Sequence, residues 1–328
     1  MTVAIVGPGM IGATHAAAWR EVGAEVSYLV ARHPDASLQD APNARTVTEV
    51  EVALADPAVD IVTVCTPTPT HREITEAALR AGKHVLLEKP MALTVPDAQA
   101  IAREAEASGR VLMVGHVVRF FDAYARVRSV VEAGGIGQPV HVRAERMIAP
   151  PATPWWFDEE QSGGPAVDLG IHDLDQANLV LGRPVGVRST SLDPLGPVET
   201  TVRYEDGGLA QVLSHARMPA SVSFATSLQV TGDAGIVVTR FVGGEHPVDE
   251  FTFRGVEGVA EGGPGGAAAA SDPGYSTPYA AQAAHFLECV ASGRPSTIAP
   301  VADAVLALRT ALAARDSLRA GGAWMPVD

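Results

Sequence analysis

The stretch "SGGPAVDLGIHDLD" (residues 162–175) sets Asp168 and His172 four residues apart behind a pair of glycines. Four residues is about one helical turn, so on a continuous helix the two side chains share a face. Such a pair suits proton transfer. A neutral imidazole, with a reference pKa near ~6.5, takes or gives a proton around neutral pH, and the carboxylate can orient it or stabilise its charged form. The same spacing also describes an ordinary helix-surface pair worth roughly 0.2–0.5 kcal/mol. A metal site is not expected: "HDLD" lacks the HExxH spacing, and the other histidines and the two cysteines form no cluster.

The front of the chain supplies a context for this pair. "VAIVGPGMIG" reads Gly7-x-Gly9-x-x-Gly12 between a strand pattern and a helix pattern. Gly7 permits the tight turn, Gly9 lets a pyrophosphate approach the backbone, and Gly12 allows close helix–strand packing. The amides of Met10, Ile11 and Gly12, at the helix start, would then face the phosphates. About 20 residues on, where a carboxylate would grip a ribose 2′-hydroxyl, stand Ala31 and Arg32. Loss of the carboxylate and gain of a guanidinium favour NADP(H), with NAD(H) the alternative. Two more stretches end apolar strand runs on the ligand side of such a sheet: "CTPTPTH", with Thr66, Pro67 and His71, and "EKP", with Glu88 and Lys89. Lys89 reads either as a crevice-facing group or as a solvated lysine paired with Glu88.

These residues need elements to position them. Apolar β-rich runs at 3–6, 25–30, 60–64, 84–87 and 111–114 alternate with helical patterns at 11–22, 48–55, 70–80 and 96–107. This alternation predicts a parallel sheet covered on both faces. After residue 119 the pattern changes to a helix (121–133), a strand (140–147) and a Pro/Trp-rich loop leading into the opening motif. Several β-patterned runs between 185 and 253 then follow without intervening helices, which predicts a large, mostly antiparallel sheet. The Gly/Ala-rich stretch 255–274 reads as a loop, and two helices, 278–292 and 300–320, close the chain. The expected architecture is α/β, with a dinucleotide-binding domain over 1–119 and a C-terminal α+β domain over 120–328.

Bulk properties narrow the partners. The 328 residues carry a formal charge of −14, which argues against nucleic acid and anionic membrane surfaces. No run approaches the roughly 18 apolar residues needed to cross a bilayer, no leader-type segment opens the chain, and Cys65 and Cys289 sit in no paired spacing. A cytoplasmic protein with reduced thiols is expected, with Cys65 in a core strand.

"VGPGMIG", "CTPTPTH", "EKP" and "GGPAVDLGIHDLD", in this order and spacing, resemble the Gfo/Idh/MocA oxidoreductases, and "VTGDAG" and "ARDSLRAGGAW" extend the likeness over almost the whole chain. The resemblance implies a Rossmann domain, a second domain whose sheet often forms a homodimer or homotetramer interface, and a catalytic set falling on Lys89, Asp168 and His172. It also implies a sugar, sugar derivative or inositol as substrate. Ser162 stands where a third glycine is common, and Thr68 where asparagine is frequent.

Oxidising a secondary alcohol removes a hydride from carbon and a proton from oxygen. His172 is then the general base, or the acid in ketone reduction, and Lys89 donates to the same oxygen. Asp168 serves either the imidazole or a substrate hydroxyl. Trp155 and Trp156 read as a stacking surface for a sugar ring or as a packed pair, Arg119 as a candidate substrate contact, and His71 as a shaper of the cofactor pocket. Two other functions share the scaffold: an NAD-dependent glycosidase working by transient oxidation, and a non-catalytic nucleotide sensor.

Overall fold

The computed structural model describes residues 1–151, 153–193, 196–245, 247–256 and 276–327. In chain order the first elements are β1 (Thr2–Val6), α1 (Met10–Glu21), β2 (Glu25–Val30), β3 (Arg45–Val47), α2 (Val50–Leu54), β4 (Ile61–Val64), α3 (His71–Arg80), β5 (His84–Glu88), α4 (Val95–Ser108) and β6 (Leu112–Gly115). Next come α5 (Asp122–Glu132), β7 (Pro139–Met147), α6 (Glu159–Ser162), α7 (Pro165–Asp168), α8 (Ile171–Leu181), β8 (Pro184–Ser191), β9 (Val198–Tyr204), β10 (Leu209–His215), β11 (Ala225–Gly232), β12 (Ile236–Val242) and β13 (Val248–Arg254). The chain closes with α9 (Pro278–Ser292), α10 (Val301–Arg319) and β14 (Met325–Pro326).

The chain divides into two units. The first comprises Met1–Phe120 together with α9 and the start of α10 as far as Val305. Its six strands run parallel in the order β3-β2-β1-β4-β5-β6. Every residue of β4 and β6 is buried, as expected of strands covered on both faces. The sequence reading gave five strands here. The sixth, β3, is three residues at the sheet edge, too short to produce a two-residue periodicity.

A second difference concerns α9, which sequence order places in the C-terminal domain. Its Ala280, Ala283 and Phe286 are fully buried in the same core as Ile5, Trp19 and Met113. Phe286 meets Trp19 edge-on at 6.2 Å between ring centroids. Fully burying a phenylalanine side chain contributes roughly 1.5–3 kcal/mol. That gain draws the helix onto α1. Thr277 caps its start by accepting the Ala280 amide at 3.1 Å, and Gly293 ends it in the left-handed conformation at φ 65°.

The second unit runs from Phe121 through β13 and takes in α10 from Leu306 onward with β14. Its eight strands lie in the order β13-β12-β11-β7-β10-β9-β8-β14, antiparallel except for the β7–β10 pair. The helix α8 lies against β7 and β10. Asn178 on α8 donates to Thr310 at 3.1 Å and accepts from the Tyr204 hydroxyl at 2.9 Å, tying helix, sheet and α10 together. Residues 257–274 of the expected Gly/Ala-rich loop lie outside the described residues. No helix among the described residues is long and apolar enough to cross a membrane. Nor do the described residues contain a group of three or more His, Cys, Asp or Glu able to hold a metal ion.

Candidate active site

In the first unit, Gly7 through Gly12 join β1 to α1. A Cβ at Gly12 would stand 2.4 Å from the Gly7 carbonyl oxygen, so only glycine lets the helix start this close to the turn. A Cβ at Gly9 would meet no protein atom within 4 Å. The α1 N-terminus has no side-chain cap and no acidic residue in its first turn, which leaves its amides and positive dipole end to an anionic group. Open space above Gly9 combined with an uncapped helix start fits a pyrophosphate. Met10 is 71% exposed beside this space. Arg32 is exposed one residue past Ala31, beyond the end of β2.

The loops after β4 and β5 are fastened to one another. The buried His71 ring places Nδ1 2.9 Å from the Pro90 carbonyl oxygen and Nε2 2.9 Å from that of Thr66. Burial lowers its pKa despite these two contacts and the charge of Glu88. His71 therefore braces "CTPTPTH" against "EKP" from within, and Thr70 donates its hydroxyl to Thr66 at 2.7 Å in the same loop. Pro67 precedes a 3₁₀ turn over Thr68–Thr70, in which Thr68 is buried.

On the other side, Glu88 is buried, with one carboxylate oxygen 2.7 Å from His15 Nε2 and the other accepting the Lys89 amide at 3.2 Å. Burial alone would push the Glu88 carboxyl up. The His15 hydrogen bond and the charges of His15 and Lys89 outweigh it, leaving Glu88 below the usual carboxylate value. Glu88 is thus held by His15 and anchors the Lys89 backbone, so the expected solvated Glu88–Lys89 surface pair does not describe this carboxylate. Sequence reading passed over His15 because its partner lies 73 residues away. Tyr279 of α9 packs edge-on against it at 5.3 Å, and burial with the Glu88 charge raises the Tyr279 hydroxyl pKa. Cys65 lies one residue past the end of β4, largely enclosed but with some surface left open rather than fully buried in the strand as expected. Burial and Glu88 raise its pKa and keep it a thiol.

Arg119 is 1% exposed and donates from one guanidinium nitrogen to the Ile298 carbonyl at 2.8 Å and to Asp303 at 2.9 Å. It braces the end of the first unit rather than presenting an open substrate surface.

In the second unit the opening motif is built differently from one continuous helix. Gly163 and Gly164 adopt φ of 80° and 77°, two successive left-handed residues that only glycines take readily. Ser162 secures this turn: its hydroxyl accepts the Gly164 amide at 3.0 Å and donates to the Asp158 carbonyl at 3.0 Å. A third glycine would lose both bonds. Asp168 ends α7 and His172 lies in the first turn of α8, with Leu169 and Gly170 between. The His172 amide points to the Leu169 carbonyl at 3.4 Å, so the regular spacing is interrupted between the pair. The break leaves no room for a side chain: a Cβ at Gly170 would lie 2.7 Å from the Ala166 carbonyl and 3.1 Å from Ser214 Oγ of β10.

Both site residues have buried neighbours that sequence reading missed or misread. Trp156 is 3% exposed and donates its indole N–H to Asp168 at 2.7 Å, so it has no open face for a sugar ring. Trp155 is half-buried beside it in the cluster with Ile148, Leu169 and Ala216. Next to His172, Asp173 is fully buried and receives two bonds from Arg146, at 2.8 and 2.9 Å. No sequence spacing links Arg146 on β7 to Asp173 on α8.

Comparison with known proteins bears directly on this geometry. Residues 1–116 match the oxidoreductase family with an NAD-binding Rossmann fold, and residues 124–238 match the GFO/IDH/MocA C-terminal domain. This chain belongs to the Gfo/Idh/MocA oxidoreductases. Among relatives of this family, the 1,5-anhydro-D-fructose reductase of Ensifer adhaerens is 34% identical over 274 residues, covering 77% of this chain and 81% of the relative. The scyllo-inositol 2-dehydrogenase (NAD(+)) of Bacillus subtilis (strain 168) is 29% identical over 283 residues, covering 84% and 79%. A levoglucosan dehydrogenase in complex with NADH shares the fold, with a TM-score of 0.82 over 100% of this chain and 99% of that one at 20% identity.

For a Gfo/Idh/MocA oxidoreductase the cradle predicts two separable losses. Gly9→Ala leaves thermal stability unchanged yet weakens dinucleotide binding, because the new methyl meets only the ligand. Gly12→Ala overpacks the turn at a cost of about 1–3 kcal/mol, lowering stability and binding together. Fluorescence titration with NADH and NADPH beside thermal melts checks both. Equal stability losses in the two variants would refute this account of the loop.

Proposed function

We propose that this oxidoreductase is an NAD(P)-dependent dehydrogenase transferring a hydride between the nicotinamide and a secondary alcohol or ketone carbon of a sugar, sugar derivative or inositol. When bound, the dinucleotide accepts or supplies the hydride. Gly7, Gly9 and Gly12 with the amides of Met10, Ile11 and Gly12 would hold its pyrophosphate, and the loops at Thr66–Pro67 and Glu88 would border it. Ala31 and Arg32 favour NADP(H): without a carboxylate at the end of β2 nothing repels a 2′-phosphate, and the exposed guanidinium pairs with it.

His172 takes the hydroxyl proton as the hydride leaves carbon, and returns it in ketone reduction. Lys89 donates to the same oxygen and stabilises its alkoxide character. Asp168 supplies the negative charge that favours the protonated imidazole. The observation carrying this reading is the anchoring of Lys89. Its amide is fixed by a buried carboxylate that is itself fixed by His15, and Pro90 is held by His71. A lysine serving only solubility needs no such backbone support. The substrate class rests on the named activities of the relatives.

The test is a panel of cyclitols, aldoses and anhydrosugars assayed for nicotinamide reduction and oxidation with both cofactors. We expect turnover on at least one polyol, with a lower KM for NADPH than for NADH. Tighter NADH binding would overturn the assignment to Arg32, and glycoside hydrolysis without net cofactor reduction would overturn the dehydrogenase reading.

A further inference from the structure

We infer that Trp156 is a positioning residue for Asp168, through which the Pro/Trp loop sets the turnover of the site; this rests on the role proposed above for Asp168. Asp168 ends a four-residue helix, and so short a segment does little to fix a side chain. The group that meets it comes from another segment. The Trp156 indole N–H lies 2.7 Å from Asp168 Oδ2. An indole nitrogen only donates and carries no exchangeable role as an acid, so this contact orients the carboxylate without moving a proton to or from it.

The donor is itself rigid. Trp156 is 3% exposed, packs with Ile148, Trp155, Leu169 and Ala216, and meets Phe157 edge-on at 5.3 Å. Leu169, the neighbour of Asp168, belongs to the same cluster, so ring and carboxylate are registered by packing as well as by the bond. A buried indole needs some acceptor, and a backbone carbonyl would satisfy it. Use of the site carboxylate instead couples the loop over Pro154–Phe157 to the chemistry.

The closing experiment is a double-mutant cycle on the full chain with Trp156→Phe and Asp168→Asn, read by kcat, substrate KM and dinucleotide affinity. Loss of a charge-assisted bond to a buried donor corresponds to about a 10–100-fold drop in kcat for Trp156→Phe. Dinucleotide affinity should stay unchanged. In the Asp168→Asn background the same substitution should lower kcat less than about twofold, since the coupled carboxylate is gone. Equal losses in both backgrounds would show a merely structural tryptophan and overturn the inference while leaving Asp168 its role. Wild-type turnover in Asp168→Asn would instead remove that role, and the inference with it.

An indole ¹⁵N spectrum of the wild type against Asp168→Ala, which removes the acceptor altogether, needs no tryptophan variant at position 156. One indole resonance, belonging to none of Trp19, Trp155 and Trp324 by the loss of those peaks in Trp19→Phe, Trp155→Phe and Trp324→Phe, should shift strongly upfield. An unchanged spectrum overturns the contact itself.

Discussion

His172→Ala lowers turnover by about 10²–10⁴-fold, the usual contribution of a positioned general base, and leaves dinucleotide affinity unchanged. The selectivity follows from where the groups sit in the fold. The cradle residues Gly7, Gly9 and Gly12 belong to the unit built on the parallel sheet, and His172 to the unit built on the antiparallel one. On the proposed mechanism, removing the imidazole deletes the proton acceptor but leaves Lys89, its anchored backbone and the cradle intact, so a residual rate is expected. His172→Gln, which keeps polarity and much of the volume, should be as slow as the alanine variant, because an amide cannot accept the hydroxyl proton at neutral pH. The measurement is steady-state kinetics on the best substrate of the polyol panel, beside NADPH titration of each variant. Turnover within a factor of two of wild type in either variant would remove His172 from the reaction.

How far the sequence could be read depended on the range of the interactions involved. Residues 3–6 and 61–64 announce buried parallel strands because the signal is local and nearly every position is apolar. The glycine spacing at 7, 9 and 12 is equally local, and Thr277 with Gly293 marks both ends of α9. What α9 packs against was not legible: its alanines and Phe286 declare an apolar face but not which sheet it covers. The same limit applied at the site. Asp168 and His172 were readable as a pair. The break between them was not, since the i,i+4 spacing of the two residues is the same whether the helix runs on or stops at Asp168 and restarts at Ile171. Glu88 with His15 and Asp168 with Trp156 are joined by contacts whose partners carry no pattern of their own. Residue types thus marked the candidate groups, and tertiary contacts decide how firmly each is held.

Arg146→Ala should be the most destabilising single substitution within the second unit, at about 3–5 kcal/mol, because it strands a buried carboxylate. Asp173 is 0% exposed and Arg146 3% exposed, and the guanidinium grips both carboxylate oxygens. Burial alone would lower the Arg146 pKa; the charge and hydrogen bonds of Asp173 outweigh this and raise it further above its ordinary value. Truncation leaves Asp173 with the desolvation cost and without its partner, against a total stability of only about 5–15 kcal/mol for a typical domain. Arg146→Lys keeps the charge but loses the two-pronged geometry, so it should fall between alanine and wild type. Replacing both partners, as Arg146→Met with Asp173→Leu, removes the stranded charge and should recover most of the loss. Because Asp173 adjoins His172 at the start of α8, Arg146→Lys should also lower kcat while leaving dinucleotide affinity unaltered. Urea unfolding followed by circular dichroism and by tryptophan fluorescence measures the three variants, with the transition of each unit treated separately. If Arg146→Ala stays within about 1 kcal/mol of wild type, the pair is not what seats α8 on the sheet. If the double variant is as unstable as the single, the loss comes from packing around the arginine stem rather than from the uncompensated carboxylate.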